Sequence, residues 1–204
     1  AAYQALRYDG ETVPPILALD IARHGGDIEK TRTFYCGSFS KTLAPGLRVG
    51  WVVANEEVVR KLVLIKQAAD LHSSTINQMV IGKVAEGVFD AQVQKIKAVY
   101  SHRRSRMLEA LDKSMPAGVE WTKPEGGMFV WVTLPQWMDG AALLARALET
   151  VQVAFVPGKA FHADGSGANT FRLSFSCASD EMIDQGIARL GGLIASEMAA
   201  RAAA

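Results

Sequence analysis

The sequence predicts an α/β protein in two parts, and three observations carry that prediction. A strand-turn-strand pattern runs from Thr33 to Val53. A helical period over Val93, Ile96, Tyr100, Met107 and Leu111 marks one long helix from about Ala91 to Lys113. Beyond the Met115-Pro116-Ala117-Gly118 break, strand and helix patterns alternate to the end of the chain.

Taken in order, Tyr8 to Pro15 is turn chemistry, with Asp9-Gly10 followed by Pro14-Pro15, which cannot continue a central strand. Ile16 to Leu19 begins a short helix before the polar Arg23-His24-Gly25-Gly26-Asp27 loop, where His24 reads as a solvated loop histidine. Strand-formers occupy Thr33 to Phe39, the Pro45-Gly46 turn follows, and Val49 to Val53 returns as a strand. Asn55 caps a helix whose first turn carries Glu56 and Glu57, with Val58, Leu62, Ile65 and Ala69 as its apolar stripe. Asp70 to Thr75 is a loop, and Ser74 or Thr75 caps a further helix that turns Ile76, Val80 and Val84 inward. The long helix over 91–113 carries Lys95, Lys97, His102, Arg103, Arg104 and Arg106 on its other side, a face without interleaved aromatics that reads as solvated.

After the break, strands are expected at Val119 to Thr122 and Met128 to Leu134, joined by Lys123-Pro124-Glu125-Gly126-Gly127. A helix over Gly140 to Thr150 turns Leu143, Leu144, Ala147 and Leu148 inward. Strands follow at Gln152 to Val156 and Asn169 to Ser176. The last helix starts near Ser179, with Asp180 and Glu181 in its first turn and Ile183, Ile187, Leu190 and Ile194 buried, and the alanine-rich end from Ala199 to Ala204 is expected to fray.

The 204 residues are nearly half apolar and carry a formal net charge of +1, an ordinary globular composition. That balance leaves no electrostatic footprint for nucleic acid or an anionic membrane, and no run approaches a membrane span. Cys36 and Cys177, in predicted strands far apart in sequence, read neither as a disulfide framework nor as a metal site. No secretory signal opens the chain, and the expected compartment is a reducing cytoplasm.

The chemistry concentrates on Lys41, which stands at a strand end between Ser38, Ser40 and the downstream Arg48. A lysine held in a partly dry pocket beside other cations has a depressed pKa, and its free amine attacks a carbonyl to form a Schiff base. Two hydroxyls and a planar cationic fork nearby suit a phosphate dianion, so the pattern points to pyridoxal 5'-phosphate.

Ser38-Phe39-Ser40-Lys41 with Pro45-Gly46-x-Arg48-x-Gly50 resembles the cofactor-lysine motif of the class I/II aminotransferases, pyridoxal-phosphate enzymes of fold type I. The wording is most similar to 2-aminoadipate, aromatic and branched-chain aminotransferases and to the aminotransferase-like half of MocR-type regulators. The resemblance implies the C-terminal part of a large domain over 1–114, including an interdomain helix, and a small α/β domain over 115–204. It also implies that an N-terminal half lies outside these residues, with an aspartate just before residue 1 that pairs with the cofactor's pyridine nitrogen. Tyr3 would then hydrogen-bond the cofactor's ring oxygen; the ordinary alternative is a tyrosine packed under the following loop.

Pro124-Glu125-Gly126-Gly127-Met128-Phe129-Val130-Trp131 and Val156-Pro157-Gly158-Lys159-Ala160-Phe161 resemble the family's small-domain segments on the substrate side of the cleft. A tight turn between strands explains the paired glycines equally well. In Phe171-Arg172-Leu173-Ser174-Phe175 the arginine alternates with apolar strand residues, which aims a bidentate fork to one face. By resemblance Arg172 binds the substrate α-carboxylate, and a structural ion pair is the competing explanation. His72 or Thr75, on a loop that approaches a neighbouring subunit in the family, would reach a phosphate there or serve only as caps.

The activity implied is transfer of an amino group from an α-amino acid to a 2-oxo acid, by a ping-pong route through a Lys41 Schiff base in a homodimer. A fold-type-I lyase or decarboxylase and a MocR-type regulator are the competing readings. No membrane or nucleic-acid partner is expected for these residues.

Overall fold

The computed structural model describes residues 1–203. The chain falls into two compact units, Ala1–Ala98 and Val99–Ala204. The division lies inside a helix, α3 (Thr75–Ser114), whereas the resemblance implies a domain boundary at that helix's end. The last turns of the helix, where Met107, Ala110 and Leu111 are buried, belong to the second unit. α3 also replaces the two helices expected from the sequence, because no proline interrupts the run between Ile76 and Lys113.

The first unit contains α1 (Ile16–Arg23), β1 (Tyr35–Ser38), β2 (Gly50–Val53), α2 (Glu56–Ala69) and the start of α3. β1 and β2 pair antiparallel, Tyr35 opposite Val53 and Ser38 opposite Gly50. β1 is shorter than its strand-forming run at both ends for local reasons. Asp20 Oδ2 accepts hydrogen bonds from Arg32 N, Thr33 N and Thr33 Oγ1, so the backbone before the strand is committed to a side chain. At the other end Ser38 Oγ accepts from Ser40 N and starts a 3-10 turn over Phe39–Lys41. Asn55 caps α2 as expected, its Oδ1 accepting from Val58 N at 2.9 Å.

The inward stripes expected in this unit are not buried. α2 has no buried residue, and Leu62 and Ile65 are exposed, as are Ile76, Val80 and Val84 at the start of α3. Periodicity reports which side chains share a helix face, but burial requires a second surface, and the described residues of this unit supply none there.

The second unit adds β3 (Glu120–Trp121), β4 (Phe129–Thr133), α4 (Gly140–Arg146), β5 (Val156–Pro157), β6 (Thr170–Ser174) and α5 (Asp180–Ala202). The strands form an antiparallel sheet in the order β3-β4-β6-β5. Alternation sorts its faces. Val130, Val132, Phe171 and Leu173 are buried with Leu143, Ala147, Ile183, Ile187, Leu190 and Ile194, while Phe129, Trp131 and Arg172 share the other, half-open face.

Four expectations are corrected here. The strand expected over 152–156 begins only at Val156, because α4 continues into a π-turn over Ala147–Val151 and the chain leaves it through Gln152 at φ 55°. That unwinding leaves Leu148 exposed rather than inward. The basic face of the long helix is not simply solvated. Arg103 donates to Ser176 O, Arg104 to Pro124 O at 3.0 Å, Arg106 pairs with Asp184, and His102 lies 2.7 Å from Asp180. α5 holds through Ala202, so fraying is not seen up to that residue, and Ala204 lies outside the described residues. Cys36 and Cys177 are free and exposed, Cys177 just beyond β6.

Candidate active site

Lys41 ends the 3-10 turn that follows β1 and is half-buried. Among the described residues no carboxylate or hydrogen-bond partner holds its amine. The turn is clamped at its base: Phe39 N donates to Val49 O at 3.2 Å, and Leu43 N and Ala44 N both donate to Phe39 O. Beneath it the Phe39 and Trp51 rings pack with centroids 4.5 Å apart, and Phe89 meets Phe39 edge-on at 6.3 Å. The lysine backbone is therefore held by the turn.

Ser38 and Ser40 lie on the same turn. The Ser38 oxygen is engaged as the cap, which leaves its hydroxyl proton to donate elsewhere. Arg48 follows a second 3-10 turn, Pro45–Leu47, and is exposed. Its backbone is left-handed, at φ 54° and ψ 40°, and its Nη1 donates to Pro45 O at 3.2 Å. A non-glycine residue in that region costs about 1 kcal/mol or more, and such residues concentrate where a side chain must be aimed. Asn77, from α3, steadies the second turn by donating to Leu47 O at 3.0 Å.

Tyr3 opens a 3-10 turn over Gln4–Leu6 and is 40% exposed. Its segment is tied to β1 on both sides, by Ala1 N to Cys36 O at 2.5 Å and by Tyr35 Oη to Gln4 Oε1 at 2.8 Å. The first unit thus brings Tyr3, Ser38, Ser40, Lys41 and Arg48 onto one frame built around β1.

Arg172 belongs to the second unit, on β6, opposite Trp131 of β4 and Val156 of β5. Its guanidinium carbon lies 3.9 Å from the Phe129 ring centroid and 4.6 Å from that of Phe161. No acidic residue among the described ones pairs with it, so the structural ion pair weighed against a carboxylate-binding role is not found.

Sequence reasoning did not find Phe161 as a neighbour of Arg172, nor Asn77, nor the Gln4–Tyr35 contact. Phe161 carries a signal, since it closes the Val156-Pro157-Gly158 segment next to β6. Asn77 and Gln4 act through side-chain amides meeting partners more than two dozen residues away, which no local pattern announces. His72 and Ser74 act locally, His72 Nδ1 lying 2.8 Å from Ser73 O and Ser74 Oγ accepting from Asn77 N. Asp20 and Asp164 have carboxyls held below the ordinary range. The Thr33 hydroxyl is the first cause for Asp20 and the Ser166 hydroxyl for Asp164, and both serve as loop anchors. Among the described residues no cluster of metal-binding side chains occurs, and no helix is long and apolar enough to cross a membrane.

The sequence pattern of the family described as "Aminotransferase class I and II" matches residues 1–190. The aromatic-amino-acid aminotransferase 1 of Thermococcus litoralis is 46% identical over 197 residues, which are 96% of this chain and 45% of that protein. An HTH-type transcriptional regulator of Bacillus subtilis is 33% identical over 192 residues, 94% of this chain and 38% of the regulator. The crystal structure of the α-aminoadipate aminotransferase of Thermus thermophilus, complexed with N-(5'-phosphopyridoxyl)-L-leucine, superposes with a TM-score of 0.89. It is 41% identical, and the match covers 98% of this chain and 50% of that one. The chain spans about half the length or less of these relatives. Its α/β fold is that of the pyridoxal-phosphate-dependent aminotransferases, and the chain belongs to the class I and II aminotransferase family.

Proposed function

We propose that the intact protein is a pyridoxal-phosphate-dependent aminotransferase that moves an amino group from an α-amino acid to a 2-oxo acid. The observation that carries this reading is the Lys41 frame: a half-buried amine without an acidic partner among the described residues, on a turn clamped at its base, beside Ser38, Ser40 and the strained Arg48. Its donor set fits the cofactor, because one amine suits a carbonyl and two hydroxyls with a guanidinium suit a phosphate dianion. When bound, pyridoxal phosphate supplies an electron sink for the pair left at the substrate Cα.

The chain's own residues do the rest. Arg48, Ser38 and Ser40 would hold the phosphate, and the Tyr3 hydroxyl would donate to the ring oxygen. Lys41 Nζ would hold the cofactor and, once free, would act as the base that takes the proton from the substrate Cα and returns it two atoms further along. Arg172 grips the α-carboxylate bidentately and so sets which Cα bond faces the ring. Residues 1–114 serve as the large-domain portion and 115–204 as the small domain, in a cytoplasmic homodimer. The aromatic face at Phe129 and Trp131, and relatives named for aromatic amino acids and α-aminoadipate, favour a long or apolar substrate side chain.

The experiment is borohydride reduction of the intact protein followed by peptide mass mapping. A phosphopyridoxyl group on Lys41 is expected; an unmodified Lys41 in cofactor-loaded protein would overturn the reading. Similarity to an HTH-type regulator favours a second reading, in which the same module senses an effector. Multiple turnovers with parallel double-reciprocal lines support the enzyme, and ligand binding without turnover supports the regulator.

A further inference from the structure

Among the described residues, Arg172 is held by rings rather than by an acid. Phe129 stands two residues from Trp131, the residue paired with Arg172 on β4, and Phe161 ends the turn that follows β5, the strand on the other side. Both rings lie within 5 Å of the guanidinium carbon, at 3.9 and 4.6 Å. Trp131 in turn meets Phe161 edge-on, with centroids 5.4 Å apart and planes at 75°. An aromatic ring occupies the flat face of a guanidinium, whereas a carboxylate needs its N–H edge. A free arginine side chain loses rotamer freedom when it binds; one already stacked loses less.

We propose that Phe129 and Phe161 are positioning residues for Arg172, fixing the guanidinium plane so that its N–H edge is presented to a carboxylate before the ligand arrives. This rests on the reading of Arg172 as the carboxylate anchor. Trp131 keeps Phe161 in place from the side. Phe161 is 47% exposed, so trimming it opens no sealed cavity in the core.

The test uses the intact, cofactor-loaded protein and two probes, 3-phenylpropionate and its uncharged amide, as inhibitors competing with an amino-acid substrate. Phe161→Leu and Phe129→Leu are each expected to weaken the carboxylate by about fivefold, the equivalent of one modest cation–π contact, and to leave the amide unchanged. The loss falls on KM more than on kcat, and Phe161→Tyr restores it. In an Arg172→Ala background Phe161→Leu has no further effect, because the ring acts through the guanidinium. If Phe161→Leu weakens carboxylate and amide alike, or neither, the positioning role is wrong while Arg172 keeps its own. If Arg172→Ala still prefers the carboxylate to the amide, the anchor assignment itself fails.

Discussion

Gly37 of β1 faces Trp51 of β2 so closely that a β-carbon on Gly37 would stand 2.2 Å from the indole Cε2. The pair sits directly before the Lys41 turn, and the same indole packs on Phe39, the residue whose carbonyl closes that turn. Glycine is needed here for close approach, not for an unusual backbone angle.

Gly37→Ala is therefore expected to push the Trp51 ring off Phe39 and loosen the lysine turn. Overpacking of this kind costs about 1–3 kcal/mol. The checks are a lower denaturation midpoint and reduced borohydride labelling of Lys41 in the intact protein, with unchanged values counting against the clamp.

Two adjacent glycines in α5 make a sharper pair. A β-carbon on Gly191 would lie 2.2 Å from Ser114 O and 2.9 Å from its carbonyl carbon, both backbone atoms, while one on Gly192 meets nothing within 4 Å. Gly191→Ala should destabilise the second unit by about 2 kcal/mol or more as two helices are forced apart. Gly192→Ala should stabilise it by about 0.5–1 kcal/mol through helix propensity alone. Denaturant melts of both variants decide it, and equal shifts would contradict the packing.

Much of this was legible in the sequence for reasons that differ between the units. The second unit announced itself because its stripes find partners within the unit: Ile183, Ile187, Leu190 and Ile194 are all buried. In the first unit the same reasoning marked Leu62, Ile65 and Ile76 as inward, and they are exposed, because periodicity names a face without naming what covers it. The Lys41 turn was legible through its hydroxyls, proline and arginine, each with a local role. Arg172 was legible from strand alternation, but its rings were only half so, since Phe161 reaches it across a strand pairing that local spacing does not encode. The arginines of α3 were misread for the same reason; their partners at Pro124, Ser176 and Asp184 come from later elements.

That contrast predicts uneven protection in hydrogen exchange of the 204-residue chain. α2 has no buried residue, so its amides should exchange by local opening at low cost. Amides of β4 and β6, whose Val130, Val132, Phe171 and Leu173 are buried, and of α5 around Leu190 should open only with the whole second unit. Protection of α2 equal to that of α5 would mean that its apolar faces are covered in solution.

The Asp20 anchor predicts a pH dependence with a defined sign. Its carboxyl is held below the ordinary range first by the Thr33 hydroxyl and then by the Arg32 amide, with the Thr33 amide and the charge of His24 adding to the effect against an opposing desolvation. A depressed carboxyl stabilises the fold fully above the unfolded value of about 3.9 and loses that contribution as pH falls toward the lower folded value. Asp20→Asn removes the charge while nearly keeping the shape. Its denaturation midpoint should lie below that of the parent chain near neutral pH, and the gap should narrow as the medium is acidified below about pH 4. A gap that widens on acidification would place the stabilising form of Asp20 in its protonated state and overturn the assignment of these hydrogen bonds.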